Sequence, residues 1–101
     1  MSDTISTNDW PSALSYRSEF PEGSYDETSH LHHIYPPDQA RVSKSPPAYF
    51  VGSAGVDGIE FAMRPELSEI WAYHPIEQTW THVAKDLAEL DRDWRAGRIS
   101  V

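Results

Sequence analysis

The strongest constraint on the fold lies in the second half of the sequence, residues 49–101, where strand-like alternation is followed by one amphipathic helix. Ile59, Phe61 and Met63 alternate with polar or small residues, which is the period-two pattern of a strand with one buried face. A helix over about residues 85–96 is predicted by an apolar stripe at spacings of four, three and four: Val83, Leu87, Leu90 and Trp94. Strands and a helix that follow one another in this way predict an α+β domain.

Three further strands are predicted on either side of this alternation, over residues 48–51, 70–74 and 79–83, and a short one over residues 31–35. The segment 70–74 is apolar on both faces and belongs inside the sheet. In the segment 79–83, alternation places Trp80 and His82 on one face. We therefore expect a small mixed or antiparallel sheet of about four to five strands. A short helix through Val42 and a loop over residues 43–47 precede the strong pattern.

The first 29 residues are rich in Ser, Thr, Asp, Glu and Pro and show no sustained period. Pro11 can start one helical turn, but Pro21 and Gly23 stop anything long. We expect an irregular N-terminal arm, laid over the sheet or partly disordered, in front of a single domain over residues 30–101.

Acidic residues outnumber basic ones throughout, giving a formal net charge of −8. Residues 1–47 carry seven acids and three bases, and residues 48–101 carry nine and five, so each part contributes −4. Binding to a phosphate backbone needs clustered Lys and Arg, so direct nucleic-acid binding is not expected. The charge suits a basic protein partner such as a nuclease or another nucleic-acid-binding protein, although acidity also serves solubility alone.

The chain contains no Cys, which excludes disulfides and thiolate zinc sites. The N-terminus lacks a basic region followed by an apolar one, and no stretch approaches the length of a membrane span. These observations predict a cytoplasmic protein with no membrane contact.

Three glycines, Gly52, Gly55 and Gly58, are spaced like those of a phosphate-binding loop. Such a loop needs a helix behind it and usually a Lys, whereas Gly58 leads into a predicted strand and no base lies between Lys44 and Arg64. We interpret all three as structural residues of a tight turn between two strands.

Three histidines, His30, His32 and His33, are the only weak candidates for a metal site. Residues i and i+2 of a strand share a side, but further ligands would have to come from elsewhere, so no metal or other cofactor is predicted. No pair of carboxylates must converge, and no serine sits in a nucleophile-elbow sequence. The chain is therefore not predicted to be an enzyme.

Partner binding is the remaining class of function. The candidate contact residues lie in turns or alternate with predicted core positions: Asp57, Glu60, Glu69, Glu77 and Trp80. Trp is included because aromatic residues are enriched at interface hot spots.

A family resemblance is carried by the segments 49–61, 70–76 and 83–97, which combine a strand, the turn Gly52 to Gly58, two more strands and a closing helix. This arrangement resembles the C-terminal part of the SUKH superfamily of immunity and cell-wall-regulator domains, over about residues 30–101. Residues 1–29 are shorter than the N-terminal helices usual in that family.

The resemblance implies an α+β domain that binds rather than catalyses. Many such domains are immunity proteins that neutralise a cognate toxin, often a nuclease, and others are regulatory scaffolds. An anti-defence or nucleic-acid-mimic inhibitor, a regulatory scaffold subunit and a small metal- or ligand-binding domain remain as alternatives.

Overall fold

Two α-helices and seven strands are present in the part of the chain that this computed structural model describes, residues 13–44, 47–65, 67 and 69–99. The helices are α1 (Ala13–Glu19) and α2 (Leu87–Arg95). The strands are β1 (Ser24–Asp26), β2 (Leu31–Ile34), β3 (Arg41–Lys44), β4 (Pro47–Ser53), β5 (Glu60–Met63), β6 (Ile70–His74) and β7 (Thr79–Ala84). A 3-10 turn, Pro37–Gln39, precedes β3.

The strands form two antiparallel sheets. β1 and β2 make a two-stranded ribbon, and β3 to β7 make a five-stranded sheet in chain order. The predicted α+β class and C-terminal helix are confirmed, and the sheet, expected to be mixed or antiparallel with about four to five strands, is antiparallel with five. β6 lies inside the sheet, between β5 and β7, which accounts for its apolar residues on both faces.

One face of the large sheet, called the front face here, carries the main hydrophobic core. Alternate residues of β4, β5 and β6 point to it, among them Tyr49, Phe61 and Ile70. Leu87 and Leu90 of α2 are buried against them, as the predicted helical stripe requires. Asp86 caps the N-terminus of α2, and its carboxylate accepts a hydrogen bond from the backbone N–H of Glu89 at 2.8 Å.

The described part of the N-terminal arm is more regular than expected: residues 13–29 contain α1, near where one helical turn was expected after Pro11, and also β1. Tyr16 of α1 is only 1% exposed and packs edge-on against Tyr49, with ring centroids 5.9 Å apart. Its hydroxyl donates to the carbonyl oxygen of Tyr35. One buried tyrosine with its polar end satisfied fixes this segment on the core without any periodic pattern. Residues 1–12 lie outside the described part.

The segment between the two sheets also differs from the prediction. The expected helix through Val42 is only a 3-10 turn, and residues 41–44, partly assigned to a loop, form the edge strand β3. Pairing with β4, in which Val42 lies opposite Tyr49, decides the conformation that the local sequence leaves open.

The three glycines serve two different purposes, which corrects the interpretation of Gly52 as a turn residue. Gly55 and Gly58 have φ of +75° and +70°, as the predicted turn requires. Gly52 instead lies within β4, where a Cβ atom would stand 2.0 Å from the carbonyl oxygen of His33 in β2. Glycine is needed there because the backbones of the two strands approach closely.

This close approach predicts that Gly52→Ala lowers the free energy of unfolding by about 3 kcal/mol or more, since a backbone carbonyl cannot move aside cheaply. Gly97→Ala is the matched control, because Gly97 has φ of +72° and nothing within 4 Å of its added Cβ. It should cost only about 1 kcal/mol of left-handed strain. Urea unfolding followed by tryptophan fluorescence measures both. Equal losses would contradict the role assigned to Gly52.

Candidate functional site

The opposite face of the five-stranded sheet, called the back face here, is the candidate functional surface. It carries a second, smaller hydrophobic cluster in which Ala48, Phe50 and Ala62 are buried and Tyr73 and Trp80 are partly buried. No residue of α1 or α2 belongs to this cluster among the residues that the structure describes. Tyr73 and Trp80 therefore form part of the outer surface of the sheet in the described chain.

The rings of the back face pack on one another. Trp80 stacks on Phe50 with centroids 6.5 Å apart and planes inclined by 17°, and it lies 4.8 Å from Tyr73. Trp71 meets the exposed His82 edge-on at 5.3 Å. Trp80 and His82 share this face as alternation predicted, and their rings are held in place by their neighbours.

Two arginines lie over these rings. The guanidinium of Arg64 is 5.0 Å from the centroids of both Trp71 and Trp80, and that of Arg41 is 4.5 Å from Phe50. Cations over aromatic faces are held by the ring quadrupole. The back face thus combines indole, phenol and guanidinium groups on a rigid sheet.

Glu60 is predicted as a contact residue, but its carboxylate is engaged within the protein. It accepts two hydrogen bonds from Arg41, at 2.8 and 2.6 Å, and one from the Tyr35 hydroxyl at 2.8 Å. Burial tends to raise the pKa of Glu60, but these donors outweigh it and hold the pKa below its usual value. The same arrangement raises the pKa of Tyr35 to about 12, through burial first and then the bond to Glu60.

The structure brings four of the five predicted contact residues to one end of the sheet. Glu60 and Trp80 lie on either side of Tyr73 in one cross-strand row of the back face. Asp57 and Glu77 lie in the β4–β5 and β6–β7 turns, which adjoin there and line one shallow pocket. Glu69 lies apart from them, next to Ile70 at the start of β6.

The shallow pocket between the two turns has a mixed lining. Asp57 and Glu77 face it together with Ile59, His74, Pro75 and Ile76. Ile76 is 75% exposed, the largest exposure of any big hydrophobic side chain in the described chain. His74 is tied to Thr81 by a 3.0 Å hydrogen bond between its Nε2 and the hydroxyl. This end of the sheet offers acidic and apolar groups side by side.

A partly buried polar cluster between α2 and the two-stranded ribbon was not predicted. One carboxylate oxygen of Asp91 accepts hydrogen bonds from the Ser24 hydroxyl at 2.6 Å, His33 Nε2 at 2.8 Å and Arg95 Nε at 3.0 Å. Arg95 also donates to the Ser24 hydroxyl at 2.7 Å. No spacing in the sequence marks this cluster, since Ser24 and Asp91 are 67 residues apart.

This cluster contains the residue types of a Ser-His-Asp triad but not its connections. In a triad the serine hydroxyl donates to the histidine, whose other nitrogen donates to the carboxylate. Here the Ser24 hydroxyl and His33 Nε2 both donate to Asp91, and His33 Nδ1 has no partner among the described residues. His33 is fully buried, so the arrangement ties elements together and does not activate a nucleophile.

The three histidines considered for a metal do not converge. His33 is buried under Trp94, whose ring stacks on it at 5.4 Å, while His32 packs against Tyr25 at 5.0 Å. His30 is an exposed turn residue with φ of 54°. Within the described ranges no group of three His, Cys, Asp or Glu residues could hold a metal ion.

Comparison with protein-family models, with curated proteins and with solved structures found no match to this chain. The resemblance to the SUKH superfamily therefore stays a prediction. Neither of the described helices is long and apolar enough to cross a membrane.

The buried histidine gives a prediction on pH. Burial lowers the pKa of His33 and outweighs the hydrogen bond and charge of Asp91, which raise it. Between that lowered pKa and the value of about 6.5 in the unfolded chain, the unfolded state binds more protons. The free energy of unfolding should therefore fall as the pH is lowered from 7.5 to 5.5.

Urea unfolding at the two pH values tests this, with His33→Gln and His32→Gln as a matched pair. The side-chain amide introduced by His33→Gln can still donate to Asp91 but cannot titrate, so this variant should show a reduced pH dependence, while His32→Gln keeps it. A wild-type protein that is more stable at pH 5.5, or two variants that respond alike, would contradict the assignment.

Proposed function

We propose that this chain is a non-enzymatic protein-binding domain that neutralises a basic protein partner, as an immunity protein neutralises a cognate toxin such as a nuclease. The observation that carries the proposal is the aromatic back face, on which Tyr73, Trp80 and Arg64 lie outside the main core. Trp, Tyr and Arg are the residues most enriched among interface hot spots.

The side chains of the back face are already held in one conformation before a partner binds, which favours tight association. Trp80 contacts Phe50, Tyr73 and Arg64, so its rotamer is fixed by packing within the sheet. A partner that covers Trp80 loses little additional side-chain entropy, while the exposed part of the indole ring is removed from water.

A basic partner is favoured by charge. The net charge of −8 attracts cationic proteins over distances of about a Debye length, and it raises the rate of encounter. Glu60 is paired with Arg41, whereas Asp57 and Glu77 lie exposed in the turns beside the back face. We assign the electrostatic contact to these two carboxylates and the apolar contact to the rings next to them.

The polar clusters favour binding over catalysis. Both the Asp91 cluster and the Glu60 cluster are networks within the protein, partly open to solvent, whose carboxylates already accept three hydrogen bonds each. The resemblance to SUKH domains adds weight to an immunity role. A nucleic-acid-mimic inhibitor or a regulatory scaffold would use the same surface, and a toxin gene beside this gene would distinguish an immunity protein from both.

The proposal is tested by capturing the partner with tagged protein, purifying it, and measuring the affinity by calorimetry. Trp80→Ala should weaken binding roughly thirtyfold, the effect of a hot-spot residue worth ~2 kcal/mol. Tyr25→Ala is the control, because Tyr25 is an aromatic residue 43% exposed on the two-stranded ribbon. It should leave the affinity within about twofold of wild type.

The role assigned to Asp57 and Glu77 is tested separately, by the rates of association and dissociation. Asp57→Asn combined with Glu77→Gln should slow association several-fold at low salt and leave dissociation nearly unchanged, as rim charges do. An acidic partner, or loss of affinity on Tyr25→Ala but not on Trp80→Ala, would overturn the proposed surface.

A further inference from the structure

We propose that two copies of this chain form a symmetric dimer by antiparallel pairing of β7 with β7. The five-stranded sheet has two edges, β3 and β7, and they are built differently. β3 has four residues, two of them the charged Arg41 and Lys44, and Pro47 begins the strand beside it. β7 has six residues, Thr-Trp-Thr-His-Val-Ala, with no Lys, Arg, Asp, Glu, Pro or Gly.

An edge strand presents unpaired backbone N–H and C=O groups, and proteins normally protect it with charges, proline or a bulge. β3 carries such protection and β7 carries none over its first four residues. The pairing of β7 with β6 is irregular only near the C-terminal end of β7. There Trp71 lies opposite His82 and Ile70 opposite Ala84, so Val83 has no partner residue in β6. Thr79, Thr81 and His82 are exposed, and no strand other than β6 pairs with β7 within the described ranges.

The composition of β7 favours pairing. Threonine, tryptophan and valine are among the residues most enriched in strands. The strand is therefore a good template for one more strand, and a second copy supplies one with the same properties.

Symmetry and charge select the register. When two identical strands pair in antiparallel fashion about a two-fold axis perpendicular to the sheet, the residue at the axis lies opposite the same residue of the second copy. With Thr81 at the axis, Trp80 faces His82 of the second copy, and Lys85, which directly follows β7, comes to the side of Glu77 in the β6–β7 turn of the second copy, once at each end of the pair. With Trp80 or His82 at the axis, Glu77 would instead meet Val83 or Leu87. Only the Thr81 register pairs opposite charges.

The same register continues the back face. A two-fold axis perpendicular to the sheet keeps both back faces on one side, so the row Glu60, Tyr73, Trp80 would run into His82 of the second copy. Tryptophan and histidine already pack together across β6 and β7, where Trp71 meets His82. The dimer would present one ten-stranded sheet with the rings of both copies on one side. The inference does not depend on the proposed function.

Charge reversal tests the dimer in solution. Sedimentation velocity from about 1 to 300 μM, at an ionic strength near 0.15 M to screen repulsion between two acidic copies, should show a concentration-dependent dimer. Glu77→Lys and Lys85→Glu each turn two attractions into two repulsions and should weaken it roughly tenfold. The double variant restores both attractions and the net charge of −8, so its dissociation constant should lie within about threefold of wild type.

Amide hydrogen exchange gives a second readout that does not rely on variants. Protection of amides 79–83 should rise with protein concentration, while the amides of β3 stay unchanged as the internal control. A wild-type protein that is monomeric throughout the range overturns the proposal, and so does a dimer that neither single variant weakens. Protection of β7 only on adding a different protein would also overturn it, by assigning the edge to a strand of that protein.

Discussion

The carboxylate of Asp91 joins parts of the chain that nothing else in the sequence brings together. Through one oxygen it holds Ser24 of β1, His33 of β2 and Arg95 of α2. A two-stranded ribbon is marginally stable by itself, so β1 and β2 depend on this attachment and on their packing against β4. Burial tends to raise the pKa of Asp91, but its three donors lower it and keep the carboxylate charged. The three donors offset the desolvation of this partly buried carboxylate, whereas removal of one donor would leave it with only two hydrogen bonds.

This attachment explains why the sheet has two unlike faces. The ribbon and α2 are held together on the front face, where Trp94 of α2 stacks on His33 and donates to Asp26 at 2.8 Å. The indole N–H holds the pKa of Asp26 below its usual value. With these elements committed to one side, the back face keeps its own small cluster of rings and arginines. Within the described residues neither helix contributes to the back-face cluster, so this face stays open as the proposed contact surface.

The sequence predicts the elements whose signal is local, and misses those set by distant contacts. Alternation at Ile59, Phe61 and Met63 and the stripe of α2 predicted their strand and helix correctly, because burial of one face imposes a period. β3 has no such pattern, and only its partner β4 makes it a strand. Trp80 was placed on the correct strand face by alternation, but the capture of Glu60 by Arg41 joins residues 19 apart across the sheet. The alternating pattern predicts on which face of the sheet a carboxylate lies, but it does not predict which cation pairs with it.

The capture of Glu60 changes how an acidic protein of this kind would recognise a basic one. Among the described residues, the charged groups that contact the rings of the back face are Arg64 and Arg41, which is paired with Glu60, so these rings lie under guanidinium groups although the protein carries −8. Long-range attraction must come from carboxylates elsewhere, such as Asp57 and Glu77 in the adjoining turns. Those exposed charges can raise the rate of encounter but add little to the lifetime of a complex. In such a complex a slow dissociation would depend on burial of the aromatic rings at the interface. Because guanidinium groups lie over those rings, the partner would have to place apolar or acidic groups against them. The proposed partner would therefore be basic as a whole but not at the point where it covers Trp80.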